Sequence, residues 1–122
     1  VPPKLLVIDD ETDILEMMEG HFALRGFLVW TALDGAEGFE ILEKERPEVV
    51  LLDLKMKNWD GDQFIKKVRE KGIQTKILVI TGYQDDTLRA RVEALGVDAF
   101  LEKPVSIIEL QKRIEELVGI AQ

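Results

Sequence analysis

The chain has 122 residues, 46% of them hydrophobic, with 16 Lys and Arg against 24 Asp and Glu for a formal net charge of −8. That length suits one compact domain over residues 1–122, and that charge argues against a direct grip on nucleic acid or an anionic bilayer. With no cysteine and one histidine, disulfides, thiolate catalysis and imidazole-built metal centres are excluded, so any metal must sit on oxygen.

No apolar run approaches the roughly 18 residues of a membrane span, and no charged leader precedes a short apolar stretch. The chain is therefore expected to be soluble and cytoplasmic. Val at position 1 points to a processed start or to a fragment of a longer protein.

In chain order, the first expected strand is Leu5–Ile8, which runs straight into the carboxylates Asp9 and Asp10. Ile14, Met18 and Phe22 then recur at helical spacing, with Asp10 or Thr12 as the candidate N-cap. Gly26 follows where a left-handed residue is wanted, and "FLVWTA" from Phe27 is the second strand, carrying Trp30. Asp34-Gly35 marks the start of a second helix, patterned by Ala36, Phe39 and Leu42. Pro47 stands just before the third strand, "EVVLLDL" from Glu48.

Asp60-Gly61 marks a third helix, with Phe64 and Val68 inward and Gly72 at its end. "KILVIT" from Lys76 is the fourth strand; Leu88, Val92 and Leu95 pattern the fourth helix, which Gly96 closes. "DAFLEK" from Asp98 is the fifth strand, and Ile107, Leu110, Ile114 and Leu117 pattern a fifth helix. His21 is expected on a solvated stretch of the first helix. Trp59 is read either as a reporter near the site or as a loop residue on the third helix.

Strands one, three and four are near-continuous Val, Ile and Leu, which suits burial on both faces of a parallel sheet covered by helices. The predicted class is α/β, a doubly wound (βα)5 domain. In such sheets ligands gather outside the carboxyl ends of the strands. That edge receives Asp9 and Asp10, Asp53, Thr81 and Lys103. Carboxylates brought within several ångströms repel one another unless a positive charge intervenes, and oxygen donors alone select Mg²⁺ or a similar hard ion. An aspartate, a divalent ion, an ammonium and a hydroxyl suit phosphoryl transfer to a carboxylate, with Asp53 as the acceptor.

The ordered set "VIDDE" (Asp9, Asp10), "LLDLKM" (Asp53), Asp60-Gly61, "ITGY" (Thr81, Gly82) and "FLEKP" (Lys103, Pro104) resembles the response-regulator receiver domain of two-component signal transduction. The resemblance covers essentially the whole chain. It implies a flavodoxin-like receiver fold of strand order 2-1-3-4-5, with Asp53 as phosphoacceptor. Mg²⁺ would be held by Asp10, Asp53 and the backbone carbonyl of Lys55, with Asp9 helping through metal-bound water. Thr81 would bind the phosphoryl oxygens and move inward, and Lys103 would pair with the phosphoryl group. The resemblance further implies a cis Lys103-Pro104 peptide and an aromatic switch at Phe100.

Also implied are a readout face built by the fourth helix, fifth strand and fifth helix, and tuning of the phosphoryl lifetime by Lys55 and Tyr83. Lys57 departs from the pattern, standing where many receivers carry proline. The implied partners are a sensor histidine kinase or histidine phosphotransfer protein and a downstream effector domain or protein, with homodimerisation on phosphorylation a further option. No enzymatic role is implied beyond self-phosphorylation from phosphodonors and autodephosphorylation. Three competing readings fare worse. A dehalogenase-type Mg²⁺ phosphatase needs an acid where Lys55 stands, and a flavodoxin-like cofactor binder needs a phosphate cradle where "DDET" stands. A docking-only receiver lacks an acid or the lysine, all of which are present.

Overall fold

The computed structural model describes residues 1–54, 61–82 and 86–119, with the main chain alone at 86–88. Lys55, Lys57, Trp59, Asp60, Tyr83 and the side chain of Leu88, all named above, lie outside the described residues. Strand and helix alternate five times: β1 (Lys4–Ile8), α1 (Thr12–Leu24), β2 (Leu28–Ala32), α2 (Gly35–Glu45), β3 (Val49–Asp53), α3 (Gly61–Glu70), β4 (Lys76–Thr81), α4 (Asp86–Ala94), β5 (Ala99–Glu102) and α5 (Ile107–Val118). The strands form one parallel sheet in the order β2-β1-β3-β4-β5.

Side-chain alternation along the strands divides the interior into two layers. Leu6, Ile8, Val50, Leu52, Ile77 and Val79 point to one face, where α2, α3 and α4 lay down Phe39, Leu42, Phe64, Val68 and Val92. Leu5, Val7, Val49, Leu51, Leu78 and Ile80 point to the other, against Leu15, Met18 and Phe22 of α1 and Leu110 and Ile114 of α5. Removing each such side chain from water contributes about 1.5–3 kcal/mol, which is why the continuous apolar strands end up covered on both sides. The two predicted tryptophan environments reduce to one described case: Trp30 is on β2, partly buried against the α2–α4 layer, with the Lys4 ammonium 5.5 Å from its ring centroid.

Helix ends follow the expected chemistry with two exceptions. Gly26, Gly72 and Gly96 all take positive φ, of 91°, 69° and 91°. Asp34 caps α2 by accepting from the Glu37 N–H at 2.9 Å. The first exception is the start of α1, where neither Asp10 nor Thr12 is the cap. Glu11 occupies that position without a side-chain capping bond, Thr12 is already helical, and the Glu11 N–H is taken at 2.9 Å by Asp9 Oδ1. The second is the end of α2, where Arg46 rather than a glycine adopts the left-handed conformation, φ 51°, and returns its N–H to Leu42 O.

His21 also departs from expectation. It is half-buried, its Nε2 2.7 Å from Gln111 Oε1 of α5, so the flank of α1 that carries it meets α5 instead of solvent. Among the described residues no helix is long and apolar enough to cross a membrane.

Candidate functional site

Because all five strands run the same way, their carboxyl ends share one edge of the sheet. Asp53 and Thr81 are the last residues of β3 and β4, Asp9 directly follows β1, and Lys103 directly follows β5. Strand pairing sets their relative heights: Asp53 lies beside Ile80, and Thr81 beside Glu102. The ladder then continues one residue further on each flank, with the Asp9 N–H donating to Ala32 O at 3.1 Å and the Lys103 N–H to Thr81 O at 2.8 Å.

Asp9, Asp53 and Thr81 are buried, while Asp10 is half-buried. Two acids so placed need compensation, and Lys103 supplies part of it: its Nζ donates to Asp53 Oδ2 at 2.8 Å. Its aliphatic stem reaches that point across Gly82, where a Cβ would stand 3.8 Å from Lys103 Cδ. The Lys103–Pro104 peptide is cis.

The electrostatics follow from burial and proximity. Burial pushes the Asp9 carboxyl up to about 6, against the opposing Glu11 N–H bond; the facing charge of Asp53 adds to the rise, and Lys103 works against it. For Lys103, burial alone would favour the neutral amine. Its hydrogen bond to Asp53, with the charges of Asp53, Asp9 and Glu11, outweighs that cost and holds the ammonium above its ordinary range.

Among the described residues of this buried edge, one ammonium faces several carboxylates, and the groups that could hold a metal are oxygens. Among the described residues no three acid side chains converge into a ready-made metal cage. Mg²⁺ needs none, since it keeps several waters and takes only one or two carboxylates. The donor set fits that ion.

Residues 5–115 match the response regulator receiver domain family. The chain belongs to that family. It is 32% identical over 120 residues to the response regulator MprA of Mycolicibacterium vanbaalenii, covering 97% of this chain and 51% of that protein. It is 34% identical over 115 residues to the probable transcriptional regulator ycf27 of Guillardia theta, covering 94% of this chain and 45% of that protein. The receiver chain thus spans about half the length of these curated relatives.

Among solved structures, a CheY-like receiver domain protein from Methanospirillum hungatei superposes with TM-score 0.91 at 27% identity, over 98% of this chain and 96% of that one. The chemotaxis protein CheY4 of Vibrio cholerae gives 0.88 at 28% identity, over 96% and 99%. The five-stranded sheet of order 2-1-3-4-5 with five helices is the CheY-like receiver fold. Receiver domains are signalling modules, typically non-catalytic, that generally bind Mg²⁺ and work with histidine kinases.

In this receiver domain Asp9, Asp53, Thr81 and Lys103 reach one edge from four strands. Lys55 and Tyr83 lie outside the described residues. Phe100 sits on β5 beside Val79, partly buried against the α2–α4 layer. The residue that sequence reasoning missed is Arg89, whose guanidinium carbon stands 4.6 Å from the Phe100 ring centroid. An exposed helical arginine carries no local signal of such a contact; only the Glu93 four residues on hinted at an ion pair.

Proposed function

We propose that this receiver domain is a phosphorylation-controlled switch, in which Asp53 takes a phosphoryl group from the phosphohistidine of a sensor histidine kinase or histidine phosphotransfer protein. The observation that carries the reading is the 2.8 Å contact between Lys103 Nζ and the buried Asp53 carboxylate at the carboxyl edge of the sheet. A carboxylate oxygen attacks phosphorus, the P–N bond of the donor breaks, and the imidazole nitrogen leaves with its electrons. Lys103 then turns its ammonium from the carboxylate to the incoming phosphoryl oxygens, and its strengthened hold on its proton keeps it cationic throughout. The Thr81 hydroxyl binds a second phosphoryl oxygen.

Mg²⁺, held by Asp10, Asp53 and the Lys55 carbonyl with Asp9 nearby, would neutralise charge spreading over the phosphoryl oxygens. In this reading Thr81 and Phe100 shift once the phosphoryl charge is present, and the face of α4, β5 and α5 changes its packing. Lys55 and Tyr83, each two residues beyond a site residue, set how long the acyl phosphate lasts.

An effector domain or docked protein reads the switched face, and a phosphorylated homodimer is one form that readout can take. A chain half as long as relatives named as transcriptional regulators supports an output supplied by a segment beyond the receiver domain at 1–122. The cytoplasm, where kinases present phosphohistidine, is the compartment this reading requires. Incubation with Mg²⁺ and acetyl phosphate, followed by intact mass, tests it: one phosphoryl group should be gained by the wild type and none by Asp53→Asn. A gain that persists in Asp53→Asn overturns the assignment.

A further inference from the structure

Between Arg89 and Ala94 of α4, Val92 alone is buried, so little apolar surface seats that part of the helix. Two arginines tie it sideways instead. Arg91 Nε lies 3.1 Å from Asp62 Oδ2 on α3. On the opposite flank Arg89 Nη1 lies 3.0 Å from Glu102 Oε1 on β5, and Arg89 Nε lies 2.7 Å from Glu93 Oε1, one turn along its own helix.

The same guanidinium stacks over Phe100, 4.6 Å from the ring centroid. A planar guanidinium can cover a ring with its face while donating through its edges, which a lysine ammonium cannot do. Phe100 and Glu102 are two residues apart on one strand, so they present to the same side, and Arg89 grips both. Glu93 holds the guanidinium from the α4 side.

This grip connects to the phosphoacceptor edge through the main chain. Glu102 pairs in register with Thr81, and the next residue, Lys103, donates its N–H to Thr81 O and its Nζ to Asp53. A movement of Thr81 or Lys103 therefore pulls on the β5 anchor of Arg89. The ion pairs are roughly half exposed, hence individually weak and screened by salt, which suits a contact that must open.

We propose that Arg89 is a positioning residue that latches the switch face: it holds Phe100 and β5 against α4 in the conformation described here, and it releases when Phe100 turns. The inference rests on the phosphorylation reading of Asp53. Releasing the latch by mutation removes part of the cost of reaching the switched state, and a ligand that selects that state then binds more tightly.

The test is ¹⁵N NMR of the full chain with Mg²⁺, titrated with beryllofluoride as the phosphoryl mimic. Arg89→Ala should move the amides of residues 99–102 toward their beryllofluoride-bound positions before any is added, and should tighten apparent beryllofluoride binding about 3- to 10-fold. Glu102→Gln, which keeps the stacking, and Arg89→Lys, which keeps the charge, should each fall between wild type and Arg89→Ala. Arg91→Ala should leave the β5 amides in place. The latch is overturned if Arg89→Ala matches a responding wild type in both readouts, or if Arg91→Ala reproduces its shifts. A wild type that shows no beryllofluoride response overturns the phosphoacceptor reading and the latch with it.

Discussion

Lys103 and Asp53, 50 positions apart in the chain, meet at 2.8 Å because β5 and β3 end on the same edge of the sheet. Asp53 is buried and the lysine side chain is 38% exposed, so the pair is only partly screened by solvent. Lys103→Met should leave the Asp53 carboxylate without this partner and lower stability by about 1 kcal/mol, a solvent-discounted figure. Asp53→Asn in the same background should recover most of that loss. Urea unfolding of the two single variants and the double variant measures the coupling; strictly additive losses would show the contact to be energetically idle.

Asp9 makes the domain's stability fall as pH rises. Its carboxyl takes up a proton near pH 6 in the folded chain but near 3.8 when unfolded, so between those values the native state holds more protons. By linkage, stability falls as pH rises through that window, and above it the full cost of burying the charge is in place. Asp9→Asn should therefore stabilise the protein at pH 7.5 without divalent ions, by about 1–3 kcal/mol. The gain should shrink toward zero at pH 4. Thermal melts in chelator across that range check it, and a gain that grows on acidification would have the wrong sign.

Gly38, in the first turns of α2, is the position at which that helix lies directly against the Ile8 side chain of β1. A Cβ there would collide with Ile8 Cδ1 and stand 2.9 Å from Ile8 Cγ1. Gly38→Ala gains up to about 1 kcal/mol in helix propensity, but the overpacking should exceed it and destabilise by a net 1–2 kcal/mol, roughly. Adding Ile8→Val removes the colliding methyl and should restore much of the loss. Gly61→Ala, whose Cβ would lie 2.6 Å from Leu54 Cδ2 and 3.3 Å from Leu54 Cα, should behave likewise without rescue from Ile8→Val.

Lys55 and Tyr83 flank the proposed phosphoacceptor in sequence, two residues past Asp53 and Thr81. If their side chains govern access of the attacking water, truncation changes the barrier to hydrolysis. Lys55→Ala and Tyr83→Ala should each alter the autodephosphorylation rate by about three- to fivefold, up to about 1 kcal/mol in the barrier. Phosphoryl loss followed by intact mass decides; wild-type rates in both variants would remove them from that role.

The strand–helix alternation is legible in the sequence because its signals are local: apolar runs such as Val49–Leu52, and glycines where a helix must stop. The edge position of Asp53, Thr81 and Lys103 follows from them, since each residue ends or directly follows a strand. Contacts between elements are a different matter. Nothing near Gln111 announces that it meets His21, and nothing near Gly38 announces Ile8, because both depend on which helix flank faces which neighbour. The start of α1 departs from the sequence pattern for a related reason. Asp9, just past the end of β1, accepts the Glu11 N–H, and the N-cap falls on Glu11, between the two expected positions and without a side-chain capping bond.

Arg69 ties three elements together at the amino edge of the sheet, opposite the edge that carries Asp53. From the last turn of α3 its guanidinium donates to Thr75 O at 3.0 Å, to Gly96 O at 2.9 and 3.1 Å, and to Asp98 Oδ2 at 3.2 Å. Asp98 in turn accepts from the Ile77 N–H at 2.8 Å, so the carboxylate joins the starts of β4 and β5. Arg69→Ala removes the shared donor to two carbonyls and to a carboxylate that keeps its Ile77 N–H bond, which predicts a loss of about 1–2 kcal/mol. Arg69→Lys should recover little, because one ammonium cannot reproduce the planar fork. Asp98→Ala should cost less in the Arg69→Ala background than in the wild type, since the two share bonds. Urea midpoints for the wild type and these four variants, at constant m, measure this; a full rescue by lysine would mean that charge alone, and not the fork, holds these elements together.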